Sequence, residues 1–185
     1  ASQLLQFLPR VLPSARAVVC VPAYIDYARA AEAAGLPVTP LPLTAEDEFR
    51  LDVHTLADTV QPQDLVFLGH PNNPTGRLVD HDSLQQLVAA REDVTFVVDE
   101  AFIDFVPEAP SFLPDTHRPN LVVCRSFTTF YAIPGLRLGC TVAAPTTAAA
   151  LQQALPAWSV ITLALRVGTR AIADHDYARR TLDAV

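Results

Sequence analysis

Three side chains that could contact a small ligand follow apolar runs of strand length in this sequence. Tyr24 follows "AVVCVPA", Asn73 follows "DLVFLGHPN" and Asp99 ends "VTFVVD". An aromatic ring can cover a flat ligand, and an Asn amide can donate a hydrogen bond to a phenolate oxygen. A carboxylate held at the end of a buried strand needs a partner, and a protonated ring nitrogen would supply one.

A fourth group of polar residues follows the apolar run "NLVVC". It contains Arg125, Ser126 and Thr128, with Arg137 further along the chain. Hydroxyl and guanidinium groups together are suited to binding a phosphate. This segment therefore predicts a phosphate site.

Each of these features also has an ordinary structural explanation. The tyrosine could open a helix, the asparagine could belong to a plain turn, and the carboxylate could cap a helix or pair with an arginine. Taken together, they describe one ligand that carries an aromatic ring, a phenolate, a basic ring nitrogen and a phosphate. That ligand is pyridoxal 5'-phosphate (PLP).

The elements that must position these residues are alternating strands and helices. Strands are expected over 15–22, 36–43, 64–71, 93–102, 120–126 and 136–145, and helices over 24–35, 80–92, "TTAAALQQAL" and one longer stretch after Pro156. Continuous rather than alternating hydrophobicity predicts strands that are covered on both faces. The fold class expected is α/β, with three α/β/α layers and a mostly parallel sheet. Ligands bind such sheets beyond the carboxyl ends of the strands.

Composition excludes several classes of protein. The chain has 185 residues, of which 50% are hydrophobic and 18% charged, as expected for one folded domain. The net charge of -7 argues against a nucleic-acid partner, and the apolar runs are too short to span a membrane. Cys20, Cys124 and Cys140 lie in apolar runs without a CxxC pair, so we expect reduced thiols, no metal site and a cytoplasmic location.

Three motifs, "NNPTG", "VVDEAFIDF" and "RSFTTFYAIPGLRLG", resemble those of the aminotransferase class I/II family of PLP enzymes, fold type I. The resemblance covers essentially the whole chain. "DEAFIDF", "FYAIPGLRLG" and "PAWSV" look most like the threonine-phosphate decarboxylase branch of cobalamin biosynthesis, and then like histidinol-phosphate aminotransferases. This resemblance implies an aminotransferase or amino-acid decarboxylase that acts as a homodimer. Its small-molecule substrate would be an amino acid, with phosphorylated ones among the candidates.

The resemblance also implies roles for single residues around the PLP ring. Tyr24 would stack on the pyridine ring, and Asn73 would donate a hydrogen bond to the phenolate oxygen. Asp99 would keep the ring nitrogen protonated, which makes the ring an electron sink for charge at the substrate Cα.

The phosphate of PLP would lie at the other end of the site. The resemblance assigns its contacts to Ser126 and Arg137. Ser2 and Gln3 match the start of the helix whose backbone amides bind the phosphate in this family.

Thr129 stands where the resemblance expects the lysine that forms a Schiff base with PLP. The family's lysine follows Ser-x-Thr, and here Ser126-Phe127-Thr128 is followed by threonine. The thirteen basic residues are all Arg, so no other lysine can substitute. A hydroxyl can neither form that bond nor shuttle the proton at the substrate Cα. The alternative hypothesis is therefore a catalytically inactive PLP-binding homologue or a truncated fragment.

Three further departures from the family pattern are visible. Phe102 stands where many relatives carry Tyr, and Ile161 where relatives often carry Asn. The family's N-terminal arm would precede Ala1, and its C-terminal small domain would follow Val185. We therefore interpret residues 1–185 as the single large PLP-binding domain, with both ends missing.

Overall fold

A single mixed sheet forms the centre of the computed structural model, which describes residues 2–185. The strands are β1 (Arg16–Val21), β2 (Val38–Pro42), β3 (Asp64–Gly69), β4 (Thr95–Asp99), β5 (Leu121–Ser126) and β6 (Gly139–Ala143). Their order across the sheet is β2-β1-β3-β4-β5-β6. All neighbouring pairs are parallel except β5 with β6, which is antiparallel. The predicted α/β fold with a mostly parallel sheet is confirmed.

The helices differ from the expectation at two places. They are α1 (Ser2–Val11), α2 (Asp26–Ala33), α3 (Val53–Thr59), α4 (His81–Ala90), α5 (Pro145–Ala154), α6 (Thr162–Ile172) and α7 (His175–Asp183). Helix α3 was not predicted, although Asp52 caps it by accepting hydrogen bonds from two backbone N–H groups. The single long helix expected after Pro156 is two helices, because Asp174 caps a new one by accepting from the Tyr177 N–H.

Helices cover both faces of the sheet. Side chains alternate between the faces along each strand, so that Val18 and Val66 pack against α3 and α4. Val19 and Phe67 pack on the opposite side against α1, α2 and α5. These two buried cores make the three-layer arrangement that was predicted. Within residues 2–185, no helix combines the length and apolar character needed to cross a bilayer.

A buried histidine joins the turn after β3 to the long loop that precedes β5. The ring of His70 is fully buried. Its Nδ1 accepts a hydrogen bond from the Val79 N–H at 3.2 Å, and its Nε2 lies 3.1 Å from the carbonyl oxygen of Pro110. Since Nδ1 accepts, Nε2 must carry the hydrogen, and the ring is neutral.

Stability should therefore fall at mildly acidic pH, in part through His70. Burial lowers the pKa of this imidazole below its ordinary value of 6.5. The neutral ring contributes its full stabilisation above the pKa that His70 has in the unfolded chain. This contribution is lost as the pH falls toward the lower pKa that His70 has in the folded protein. We expect the free energy of unfolding, measured with urea at about pH 7.5 and about pH 5.5, to drop less in His70→Gln than in the parent. Exposed His54→Gln is the control, and an unchanged pH dependence in His70→Gln would contradict the assignment.

Candidate cofactor site

A cavity of about 220 Å³ lies where the parallel strands end. It is lined by all of the predicted site residues except Gln3, namely Ser2, Tyr24, Asn73, Asp99, Ser126, Thr129 and Arg137. Gln3 is exposed in the first turn of α1 and is not among the lining residues. The topology explains the convergence, because the carboxyl ends of β1, β3, β4 and β5 meet at one edge of the sheet.

Asp99 is a buried carboxylate at the end of β4, with only 6% of its surface exposed. Its Oδ2 accepts a hydrogen bond from the Tyr27 hydroxyl at 2.9 Å, and its Oδ1 accepts from the Ala101 N–H at 3.1 Å. Burial raises the pKa of this carboxyl group, and the two hydrogen bonds oppose that effect. Among the ion pairs of residues 2–185, none involves Asp99. A buried carboxylate at the wall of a cavity, with no ion pair in the part of the chain that the structure describes, fits a protonated ring nitrogen.

Hydroxyl groups and one arginine lie at another part of the same cavity. Ser126 Oγ lies 2.9 Å from Thr128 Oγ1, and both residues line the cavity together with Arg137. Arg137 has a left-handed backbone (φ 51°, ψ 46°), which costs roughly 1–2 kcal/mol for a residue other than glycine. Backbone strain of this kind is concentrated at functional sites. The N-terminus of α1 begins at Ser2, and a helix N-terminus also favours an anion. These donors fit a phosphate.

The turn that presents Asn73 is held by its neighbour Asn72. The amide nitrogen of Asn72 donates to the Pro22 carbonyl at 3.0 Å and to Thr75 Oγ1 at 2.9 Å. The first bond ties the turn after β3 to the end of β1, and the second holds the turn itself. Asn73 and Tyr24, which follow those two strands, are thereby brought to the same cavity.

Arg125 does not belong to the phosphate group, contrary to the sequence interpretation. Adjacent residues of a strand point to opposite faces, so Arg125 points away from the side of Ser126. Its Nη1 donates to the fully buried Glu100 at 2.8 Å, and its Nη2 donates to Asp104 at 2.8 Å. Glu100 also accepts from Ser111 Oγ at 2.7 Å. Arg125 therefore stabilises the loop after β4 and does not line the cavity.

Sequence reasoning missed Tyr27, which lines the cavity and contacts Asp99 directly. A signal was present, because Tyr27 follows Tyr24 by three residues, the spacing that places two side chains on one side of a helical turn. The two rings meet edge to face with centroids 5.6 Å apart. Phe102, one of the noted departures, also lines the cavity.

Comparison with curated proteins identifies related sequences. The family model for aminotransferase class I and II matches residues 1–184. The chain is 37% identical over 181 residues to the adenosylcobalamin biosynthesis bifunctional protein CobDQ of Leptospira interrogans, covering 96% of this chain and 21% of that protein. It is 36% identical over 171 residues to the threonine-phosphate decarboxylase of Salmonella typhimurium, covering 90% of this chain and 47% of that protein. It is 36% identical over 156 residues to the histidinol-phosphate aminotransferase of Aeromonas hydrophila, covering 84% of this chain and 43% of that protein. The chain thus spans less than half the length of each of these relatives.

Solved structures agree with the sequence comparison. The histidinol-phosphate aminotransferase from Clostridium acetobutylicum superposes with a TM-score of 0.88 at 26% identity, covering 98% of this chain and 55% of that one. The L-threonine-O-3-phosphate decarboxylase from Porphyromonas gingivalis gives a TM-score of 0.74 at 26% identity, covering 98% and 50%.

Proposed function

The chain belongs to the aminotransferase class I and II family, and from that premise we propose that its cavity is a PLP site that holds the cofactor without a covalent bond. The family is PLP-dependent. The proposed activity by descent is transamination or decarboxylation of an amino acid. We favour the threonine-phosphate decarboxylase branch because "DEAFIDF", "FYAIPGLRLG" and "PAWSV" look most like it. The histidinol-phosphate aminotransferases, which are similar to this chain at the same level of identity, are the second candidate. The single large domain, the homodimer and the cytoplasmic location stay predictions. Light scattering would test whether the chain forms a homodimer.

One observation carries the proposal: a single cavity contains a complementary group for each part of PLP. Asp99 would hold the proton on the ring nitrogen, and Asn73 would donate to the phenolate oxygen. Tyr24 would cover the ring. The contacts to the phosphate would come from Ser126 and Arg137, together with the helix start at Ser2. When bound, PLP supplies an electron sink for negative charge at the substrate Cα.

Thr129 sets what this chain can do with the cofactor. It lines the cavity at the position where the family resemblance expects lysine, and the chain contains no lysine at all. Its hydroxyl group cannot replace an amine, either as the covalent attachment point or as the base that moves the Cα proton. We therefore propose that PLP binds reversibly and that this chain alone has no appreciable turnover.

Reversible binding predicts that dialysis removes PLP and that Asp99→Asn weakens its binding. Asp99 supplies a charge-assisted contact, which is worth about 1.5–3 kcal/mol, so we expect the dissociation constant to rise roughly 10- to 100-fold. Absorbance and fluorescence titration would measure this dissociation constant. Exposed Asp93→Asn, which is the same change outside the cavity, should bind like the parent. A borohydride-reducible adduct on a side chain of the parent would overturn the proposal.

A further inference from the structure

We propose that Tyr27 is a positioning residue whose hydroxyl holds the carboxylate of Asp99 so that the proton shared with the cofactor stays on the ring nitrogen. The inference rests on the proposed function and concerns the same cavity. It follows from the packing of Tyr27 and from the contacts of both carboxylate oxygens.

The hydroxyl of Tyr27 is fixed in place by the packing of its ring. The side chain projects from α2 and is 2% exposed. Its ring stacks on Phe67 of β3, with centroids 5.5 Å apart and an interplanar angle of 10°, and Tyr24 packs against it edge to face. A ring held between two aromatic neighbours leaves its hydroxyl one position, and there it donates to Asp99 Oδ2 at 2.9 Å.

Within residues 2–185, few groups other than Tyr27 influence the charge of Asp99. Tyr27 approaches from α2, and the Ala101 N–H approaches from the residues after β4. Cys124 on β5 is neutral at physiological pH, since burial raises the pKa of its thiol to about 12. The carboxylate of Glu100 pairs with Arg125, and its negative charge acts with burial to raise the pKa of Asp99. Tyr27 therefore supplies the side-chain donor to Asp99.

The hydrogen bond from Tyr27 determines which partner binds the shared proton more strongly. Burial favours the neutral acid of Asp99, whereas the tyrosine hydroxyl stabilises the carboxylate. Without that donor, Asp99 becomes the stronger base, and the proton moves from the ring nitrogen toward the carboxyl oxygen. A ring that is unprotonated at nitrogen withdraws less electron density from the substrate Cα.

The binding of two ligands distinguishes this role of the Tyr27 hydroxyl from a role of the Tyr27 ring in packing alone. The first is 4'-deoxypyridoxine 5'-phosphate, which keeps the ring nitrogen and phosphate but lacks the aldehyde. The second is its 1-deaza analogue, in which C–H replaces the ring nitrogen. Tyr27→Phe keeps the buried ring and removes only the hydroxyl. We expect it to weaken binding of the first ligand about tenfold, because Asp99 without this donor is less readily ionised and pairs less well with a protonated ring nitrogen. The affinity for the second ligand should be unchanged.

The position of the proton can be read directly by NMR. With ¹⁵N in the ring of the first ligand, the chemical shift in the parent should lie closer to the protonated than to the unprotonated value, and Tyr27→Phe should move it toward the unprotonated value. Tyr177→Phe, which alters a tyrosine on α7 outside the cavity, should behave as the parent. Should Tyr27→Phe fail to fold, 3-fluorotyrosine at position 27, a stronger donor, should move the shift further toward the protonated value.

The outcomes distinguish this inference from the proposed function. Equal weakening of both ligands with an unmoved ¹⁵N shift would show that Tyr27 only packs, and it would overturn the inference while leaving the PLP site intact. Failure of the parent to bind the first ligand would overturn the proposed function and the inference with it.

Discussion

Thr129→Lys should convert reversible PLP binding into covalent attachment. Thr129 lines the cavity in the loop that follows β5, and its side chain is exposed enough to be replaced by a longer one without displacing the core. A lysine there would place a primary amine beside the aldehyde of the bound cofactor, and amines of this kind are the covalent nucleophiles of PLP enzymes. After borohydride reduction, mass spectrometry should find one pyridoxyl phosphate group per chain at residue 129 and none in the parent.

Two matched variants test the position and the chemistry of that lysine. Thr129→Arg introduces the same charge without a nucleophilic amine, and it should give no adduct. Thr128→Lys places the amine one residue earlier, beside Ser126, and should label poorly. An adduct of equal yield in Thr128→Lys and Thr129→Lys would show that the lysine position has been misassigned.

Turnover is a separate expectation for the same substitution. General acid–base catalysis is worth about 10²–10⁴-fold in rate, and the amine would supply it at the substrate Cα. Product formation from phosphothreonine should rise in Thr129→Lys relative to Thr129→Arg, provided that the remaining segments of the longer relatives are supplied. Equal activity of parent and Thr129→Lys under those conditions would contradict the proposal.

Of the substitutions considered, Arg125→Ala should lower the free energy of unfolding the most. Glu100 is fully buried, and Arg125 is the basic side chain that contacts it, at 2.8 Å. Removing one partner of a buried ion pair leaves an uncompensated charge, which destabilises a fold by about 3–5 kcal/mol. Typical domains have only about 5–15 kcal/mol of net stability. Urea unfolding at neutral pH would measure the change.

A surface ion pair and a double variant are the controls for that experiment. Arg179→Ala removes the exposed partner of Asp176 on α7, and it should change stability by no more than about 1 kcal/mol. Arg125→Ala combined with Glu100→Gln should recover part of the loss, because the neutral amide needs no counter-charge. A change below about 1 kcal/mol in Arg125→Ala alone would contradict this account of Glu100.

The sequence by itself determined the class of fold and the positions of the residues at its strand ends. Buried parallel strands are continuous apolar runs, and such runs are visible without knowledge of the partner strands. The residue that follows each run can therefore be assigned to the sheet edge where ligands bind, which is how Asn73, Asp99 and Ser126 were predicted. The absence of lysine at Thr129 needed only the motif and the composition.

The tertiary structure decided which of the neighbouring polar residues face the cavity and which support the loops around it. Arg125 and Ser126 are adjacent in sequence, yet the pleat of β5 sends them to different sides, so that one pairs with Glu100 and the other lines the cavity. The contact between Tyr27 and Asp99 joins residues 72 positions apart. The spacing of Tyr24 and Tyr27 indicates that they share one side of a helical turn, but it does not indicate the contact with Asp99. That contact exists because β1 and β4 flank β3, so that a side chain of α2, the helix after β1, reaches the end of β4. Spacing along the chain predicts direction within one element, whereas contacts between elements depend on how the layers pack.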